Sequence, residues 1–164
     1  MSVARLIESL PKRTASERAQ MMTNARRLLA SGTVQQKNEA AELIAAIEAQ
    51  NEADHDALIG ELKGLPVAER LVRAFTSTPM TETERTVLKA LIDNPGATSE
   101  ELSRAAGWKG NGWHLHFGTM CFDRSLYLWP APKSEVRDAS FWSGILADFD
   151  DATRGFTMKP EVAE

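Results

Sequence analysis

Four times in this chain a threonine is followed three residues later by glutamate or glutamine and then by a periodic apolar run: Thr14 with Glu17, Thr33 with Gln36, Thr81 with Glu84, and Thr98 with Glu101. Hydroxyl and carboxylate or amide can then satisfy each other's backbone N–H groups, which is the local signal of a helix start. A chain with this punctuation is committed to several short helices. The first two boxes precede matched stripes. Met21, Met22, Ala25, Leu28 and Leu29 form one, ended by Ser31-Gly32, and Ala40, Leu43, Ile44 and Ile47 form the next. A very short loop joins them, so they are expected to pack as an antiparallel helical hairpin. Leu58, Leu62 and Leu65 continue the apolar pattern to Pro66, which can open a helix striped by Val67, Leu71, Val72 and Phe75.

Charge is divided within this N-terminal half. Residues 1–37 carry seven cations against Glu8 and Glu17, whereas residues 38–61 carry only acids, from Glu39 to Glu61. The two oppositely charged helices can pair with each other, serve as a homodimer contact or partner surface, or simply be solvated. Composition shifts around Thr76-Ser77-Thr78-Pro79, where a domain boundary is expected: residues 1–77 as a helical dimerisation or partner region, residues 78–164 as a second domain.

In that second domain, Thr81 heads a helix with Val87, Leu88, Leu91 and Ile92 on one face, and Asn94-Pro95-Gly96 ends it. Thr98 heads a shorter helix with Leu102, Ala105 and Ala106, stopped at Gly107, a residue suited to a left-handed terminus. A third helix is expected from about Asn111 to Cys121. Beyond it, Phe141–Phe149, a turn at Asp150–Gly155 and Phe156–Met158 read as a β-hairpin. The expected fold class is therefore mainly α with a small β-hairpin, an N-terminal helical hairpin followed by a winged helix-turn-helix-like domain.

The segment from Trp108 to Cys121 is dense in groups that read bases or phosphates. Lys109, Asn111, His114 and Thr119 can reach base edges or phosphates. Trp113 and Phe117, four apart, can anchor the helix, and Gly110 and Gly112 allow backbone N–H groups close to a phosphate. Arg104, Lys109, Arg124, Lys133 and Arg137 are available for a basic patch. Arg104, Lys109, Asn111, Trp113, His114, Thr119 and Arg124 are thus the candidate contacts to duplex DNA. Residues 98–112, with their Gly107-Trp108-Lys109-Gly110 step, and the following His114-x-x-Phe117-Gly118 run resemble the helix-turn-helix-like modules found beside HNH-type nucleases and in small bacterial or phage proteins. That resemblance implies a winged-helix DNA-binding unit with contact roles for Lys109, Asn111 and His114. It does not extend to a nuclease part, so cleavage is not implied.

Net charge argues the other way. The chain carries 19 Lys and Arg against 23 Asp and Glu, a formal charge of -4. Phosphate neutralisation dominates DNA affinity, so a DNA site must be a local patch with acids such as Asp148, Asp150 and Asp151 turned away. The competing reading is an acidic protein-interaction or inhibitor protein, of anti-defence type, that binds another protein. A third is a sensor with an aromatic pocket around Trp129 and Trp142. Catalysis is not indicated. His114, His116 and Cys121 lack the spacing of a metal site, Glu100-Glu101 and Asp150-Asp151 suit helix capping and turn formation, and Cys121 is expected as a buried thiol. No cofactor or metal is expected. With a lone cysteine, no apolar leader and no run long enough to span a bilayer, the chain is expected to be cytoplasmic and free of membrane contact.

Overall fold

Each of the four threonine boxes heads a helix in the computed structural model, which describes residues 2–135 and 138–163. The chain divides into two units, Met1–Glu61 and Leu62–Glu164.

In the first unit, α1 (Val3–Ser9) runs into a 3₁₀ turn at Leu10–Lys12 and is followed by α2 (Ala15–Ser31) and α3 (Val34–Lys63). Thr14 and Glu17 close the reciprocal box on α2. Thr33 and Gln36 do the same for α3, with the Thr33 N–H donating to Gln36 Oε1 at 2.9 Å. The antiparallel hairpin is present. Ala25 of α2 and Ala40, Leu43 and Ile47 of α3 share one buried cluster with Leu10, and Val3, Leu6 and Ile7 pack on it. Arg18, only 6% exposed, sits inside this seam, pairs with Asp54 and donates to the carbonyls of Leu10 and Arg13. The apolar patterns read as successive segments between residues 40 and 62 belong to one helix, α3, because neither Pro nor a capping signal interrupts them.

The second unit begins earlier than the composition shift at Thr76–Pro79 suggests. The helix α4 (Val67–Ser77) belongs to it: Ala74 lies in its core, Leu71 and Phe75 pack there, and the Arg70 guanidinium donates to the carbonyls of Tyr127 and Leu128 beneath the Trp129 ring. The Thr76–Pro79 stretch is thus a helix end and connector inside the unit. Next come α5 (Glu82–Asp93), β1 (Ala97–Thr98), α6 (Ser99–Ala105) and α7 (Trp113–Asp123). After a long connection with a 3₁₀ turn at Trp142–Ile145 come β2 (Ala147–Asp150), β3 (Gly155–Met158) and α8 (Pro160–Ala163). β2 and β3 form the expected hairpin, shorter than predicted because Trp142–Ile145 is helical. β1 adds to it antiparallel, giving the order β1-β3-β2. Helix, strand, two helices and hairpin make a winged helix-turn-helix-like arrangement.

Two glycines permit this path. Gly107 adopts φ +77 and ends α6 in a Schellman motif, with the Gly107 and Trp108 N–H groups donating to the carbonyls of Arg104 and Ser103. Gly155 lies so close to Gly96 that a Cβ there would meet its carbonyl oxygen at 2.1 Å.

The helices of the second unit are tied together by Arg124, which follows α7 and is wholly buried. Its guanidinium meets both oxygens of Glu84 at 2.9 and 3.0 Å and donates to the carbonyls of Thr78, Pro79 and Met120. Phe75 lies against it, with 4.6 Å from the guanidinium carbon to the ring centre. Burial alone pushes the Glu84 carboxyl up, but hydrogen bonds from Arg124 and the Thr81 N–H and the Arg124 charge outweigh it, holding the group below its ordinary value.

Removing one member of a buried ion pair strands the other, so Arg124→Ala is expected to cost about 3 to 5 kcal/mol in urea unfolding of the second unit. Glu84→Gln should cost less because the cap survives in part. Since the Glu84 pKa is depressed in the fold, its stabilisation is complete above the unfolded carboxylate value and disappears as pH drops through the folded one. The urea-unfolding midpoint of Glu84→Gln should therefore fall less between neutral and acid pH than that of the wild type, a difference that circular dichroism measures. Cys121, fully buried beside Met120, has its thiol pushed up to about 12 by desolvation. A thiol-specific disulfide reagent should leave it untouched in the native protein and react rapidly once denaturant is added.

Candidate nucleic-acid interface

α7 is held by its inward face. Trp113, Phe117, Met120 and Cys121, at helical spacing, are all wholly buried. The Trp113 and Phe117 rings stack at 4.8 Å, and the Trp113 indole N–H donates to the Val87 carbonyl of α5 at 2.9 Å. The helix start has no side-chain cap of its own, and Gly112 precedes it. Instead the buried Ser103 hydroxyl of α6 accepts the Trp113 backbone N–H at 2.9 Å. One hydroxyl thereby sets the distance between the two helices of the turn motif.

This geometry sorts the candidate contacts. Lys109, Asn111, His114 and Thr119 are all exposed, in the turn between α6 and α7 or on the outer face of α7. Arg104 is exposed at the end of α6 and pairs with Glu100 at 3.3 Å. Trp113 and Arg124 are corrections. Both have zero exposure, the indole spent on Val87 and the guanidinium on Glu84 and three carbonyls, so neither can touch DNA without dismantling the core. Trp113 keeps the anchoring role expected of it and Phe117. Lys133 is exposed, in a bridge to Ser140, and Arg137 lies outside the described residues.

The histidines are steered apart. His114 packs 5.2 Å from Phe156 and 6.1 Å from Phe141, while His116 leans on Trp108 at 5.0 Å. No grouping of three metal-ligand side chains occurs among the described residues. The acidic pairs are engaged locally. The Thr98 backbone N–H, Thr98 hydroxyl and Arg104 charge hold the Glu101 carboxyl below its ordinary value, and Glu101 completes the α6 cap. Asp150 accepts from the Ala152 N–H and the Thr153 hydroxyl, shaping the hairpin turn. Beside it Arg154, at φ +58, sets its guanidinium 5.9 Å from the Phe149 ring centre on the exposed wing.

The pocket expected around Trp129 and Trp142 is not shared by the two rings. Trp129 lines a cleft of about 350 Å³ with Pro130, Pro132, Ile145 and Lys159, whereas Trp142 packs edge-on against Phe122 at 4.9 Å.

Two residues of the outer face escaped the sequence reading. Leu115 is 71% exposed and Phe122 is 53% exposed, on either side of Thr119 along α7. Once Trp113, Phe117, Met120 and Cys121 take the inner face, positions 115, 119 and 122 must point outward. That spacing was the available signal. α7 itself carries no lysine or arginine.

No helix among the described residues is long and apolar enough to cross a membrane. Comparison with family models, with curated proteins and with solved structures returns no match to this chain, so the likeness to modules beside HNH-type nucleases rests on the quoted residues alone.

Proposed function

We propose that the chain is a DNA-binding regulator, of transcriptional or phage-related type, whose second unit lays α7 in the major groove of duplex DNA. The observation that carries this reading is the helix, strand, two-helix and hairpin order, with an α7 that buries its aromatic anchors and turns His114 and Thr119 outward behind an exposed Lys109 and Asn111. Asn111 suits the paired donor and acceptor of adenine, and Thr119 can meet a thymine methyl. Lys109 and the wing's Arg154 are placed in the segments that flank the helix and hairpin, where phosphate contacts are made in such modules.

Cations limit the affinity. Arg104, Lys109 and Arg154 are the exposed ones in the turn motif and wing, and Arg104 is shared with Glu100. Three neutralised phosphates give a salt slope of about -3 in log affinity against log salt, shallow for a DNA-binding domain. Fluorescence-anisotropy titration of a duplex library at two salt concentrations should return this shallow slope. Lys109→Ala should flatten it by about one unit, and Asn111→Ala should relax base preference while leaving the slope in place. Absence of binding at about 50 mM salt rejects the proposal.

A second reading has its own observation: Leu115 and Phe122 are exposed apolar side chains on a helix without cations, which suits a protein groove better than a phosphate-lined one. A protein partner retained from lysate after nuclease digestion, and lost in the double variant Leu115→Ser with Phe122→Ser, supports this reading. Loss of the captured material on digestion supports the first.

A further inference from the structure

The first unit contains two kinds of apolar seam. The seam closed within the chain uses Arg18, Met21, Ala25 and Leu28 of α2 against Ala40, Leu43, Ile47, Gln50 and Asp54 of α3, and its centre is buried. These positions recur at alternating intervals of three and four, the repeat of helices that pack side by side. A second stripe with the same repeat runs beside it on each helix. On α2 it is Ala15, Ala19, Met22, Arg26 and Leu29; on α3 it is Ile44, Glu48, Asn51, His55 and Leu58.

The second stripes are open. All but Leu29 and Ile44 line a groove of about 670 Å³ between α2 and α3, to which α1 contributes no lining residue. Ala15, Ala19 and Leu29 are exposed, and Met22, Ile44 and Leu58 are half-buried. Arg18, which lines the groove from below, has a buried Nε–H without a hydrogen-bond partner. The Arg18–Asp54 pair sets the antiparallel register, which brings the stripes to matching levels: Ala15 near Leu58, Ala19 near His55, Met22 near Asn51, Arg26 near Glu48, and Leu29 near Ile44. A helix carrying two adjacent repeats of this kind has two neighbours in a four-helix bundle. Here α1 packs on the closed seam, and on the groove side each helix has only the other as a neighbour among the described residues.

We propose that the groove is filled by the same groove of a second copy of this chain, so that two α2–α3 hairpins form a four-helix bundle. Charge selects this occupant. α2 is basic at Arg18, Arg26 and Arg27, whereas the stretch of α3 from Glu39 to Glu61 holds acids without a cation. With a two-fold axis along the helices, α2 of one copy lies antiparallel to α3 of the other at the same level. Each Arg26 then meets a Glu48 of the second copy, and the small Ala15 and Ala19 let the backbones approach. A two-fold contact repeats every pair, so the basic and acidic helices are matched twice. The alternative contact, each α2 against the other α2, would set arginines against arginines.

The inference is independent of the DNA reading and is tested on the full chain by sedimentation equilibrium. Wild-type protein at micromolar concentration should have twice the mass of one chain. Ala19→Glu, at a position exposed in the single chain, should sediment as one chain with unchanged helical circular dichroism. Arg26→Glu and Glu48→Arg should each raise the dimer dissociation constant by about tenfold or more, and the double variant should recover most of the loss. A wild-type mass of one chain at about 100 μM, roughly tenfold above the weakest dissociation constants worth calling a dimer, overturns the proposal. So does a dimer that none of these substitutions weakens, since it must use another surface.

Discussion

The buried guanidinium of Arg124 is the constraint on which the second unit turns. A guanidinium has five N–H donors in a fixed planar fork, and every one has an acceptor here: two carboxylate oxygens of Glu84 and the carbonyls of Thr78, Pro79 and Met120. Those acceptors come from the end of α7, the connector after α4 and the first turn of α5. A lysine at the same place could not serve three directions in one plane, and an apolar residue would leave the Thr78 and Pro79 carbonyls without their present donor. Pairs of this kind contribute little net stability against a well-packed apolar alternative. They contribute uniqueness, because any other register of the three elements strands a charge in the core.

Glu84 extends that constraint to the start of α5. The carboxylate that receives Arg124 also receives the Thr81 backbone N–H at 2.8 Å, so the cap and the tertiary ion pair draw on the same two oxygens. Helix start and helix packing are thereby set by one side chain. A similar economy holds between α6 and α7, where Ser103 in one helix accepts the first N–H of the other, and Gly107 turns the chain between them. α7 is consequently presented in one orientation: its inner aromatic face is fixed by Val87 and Phe156, and what remains exposed is His114, Leu115, His116, Thr119, Phe122 and Asp123.

How far the sequence foretold this depends on the range of the interaction. The four threonine boxes, the Gly107 stop and the stripe of the N-terminal hairpin are local, three or four residues across, and each is present. Arg124 reads from the sequence as a surface cation because its five acceptors lie up to 46 residues away, a distance over which periodicity carries no information. Trp113 suits both an anchor and a contact by sequence, and only the packing of α5 and β3 around it decides for the anchor. The strand β1 has two residues, too few to alternate, and exists because Gly155 lets β3 pass beside Gly96. The connector at Thr76–Pro79 looked like a domain edge since turn residues cluster there, yet its carbonyls are ligands of Arg124 and α4 feeds the same core.

The proposed dimer and the proposed DNA contact bear on each other in one respect. On the proposed DNA reading, an α7 without a lysine or arginine and a wing whose acids outnumber Arg154 cannot hold a duplex tightly by counterion release alone. Linking two such modules converts the second contact into an intramolecular one, and effective concentration in the millimolar range can raise overall affinity by about a hundredfold to ten-thousandfold without a new contact. The same arithmetic applies when the target of Leu115 and Phe122 is itself a repeated or symmetric protein surface. Taken together, the proposed bundle would give a weakly charged α7 the multiplicity that its own composition denies it, and the acids of α3 that depress the net charge of the chain would form the half of the contact that attracts a second basic α2.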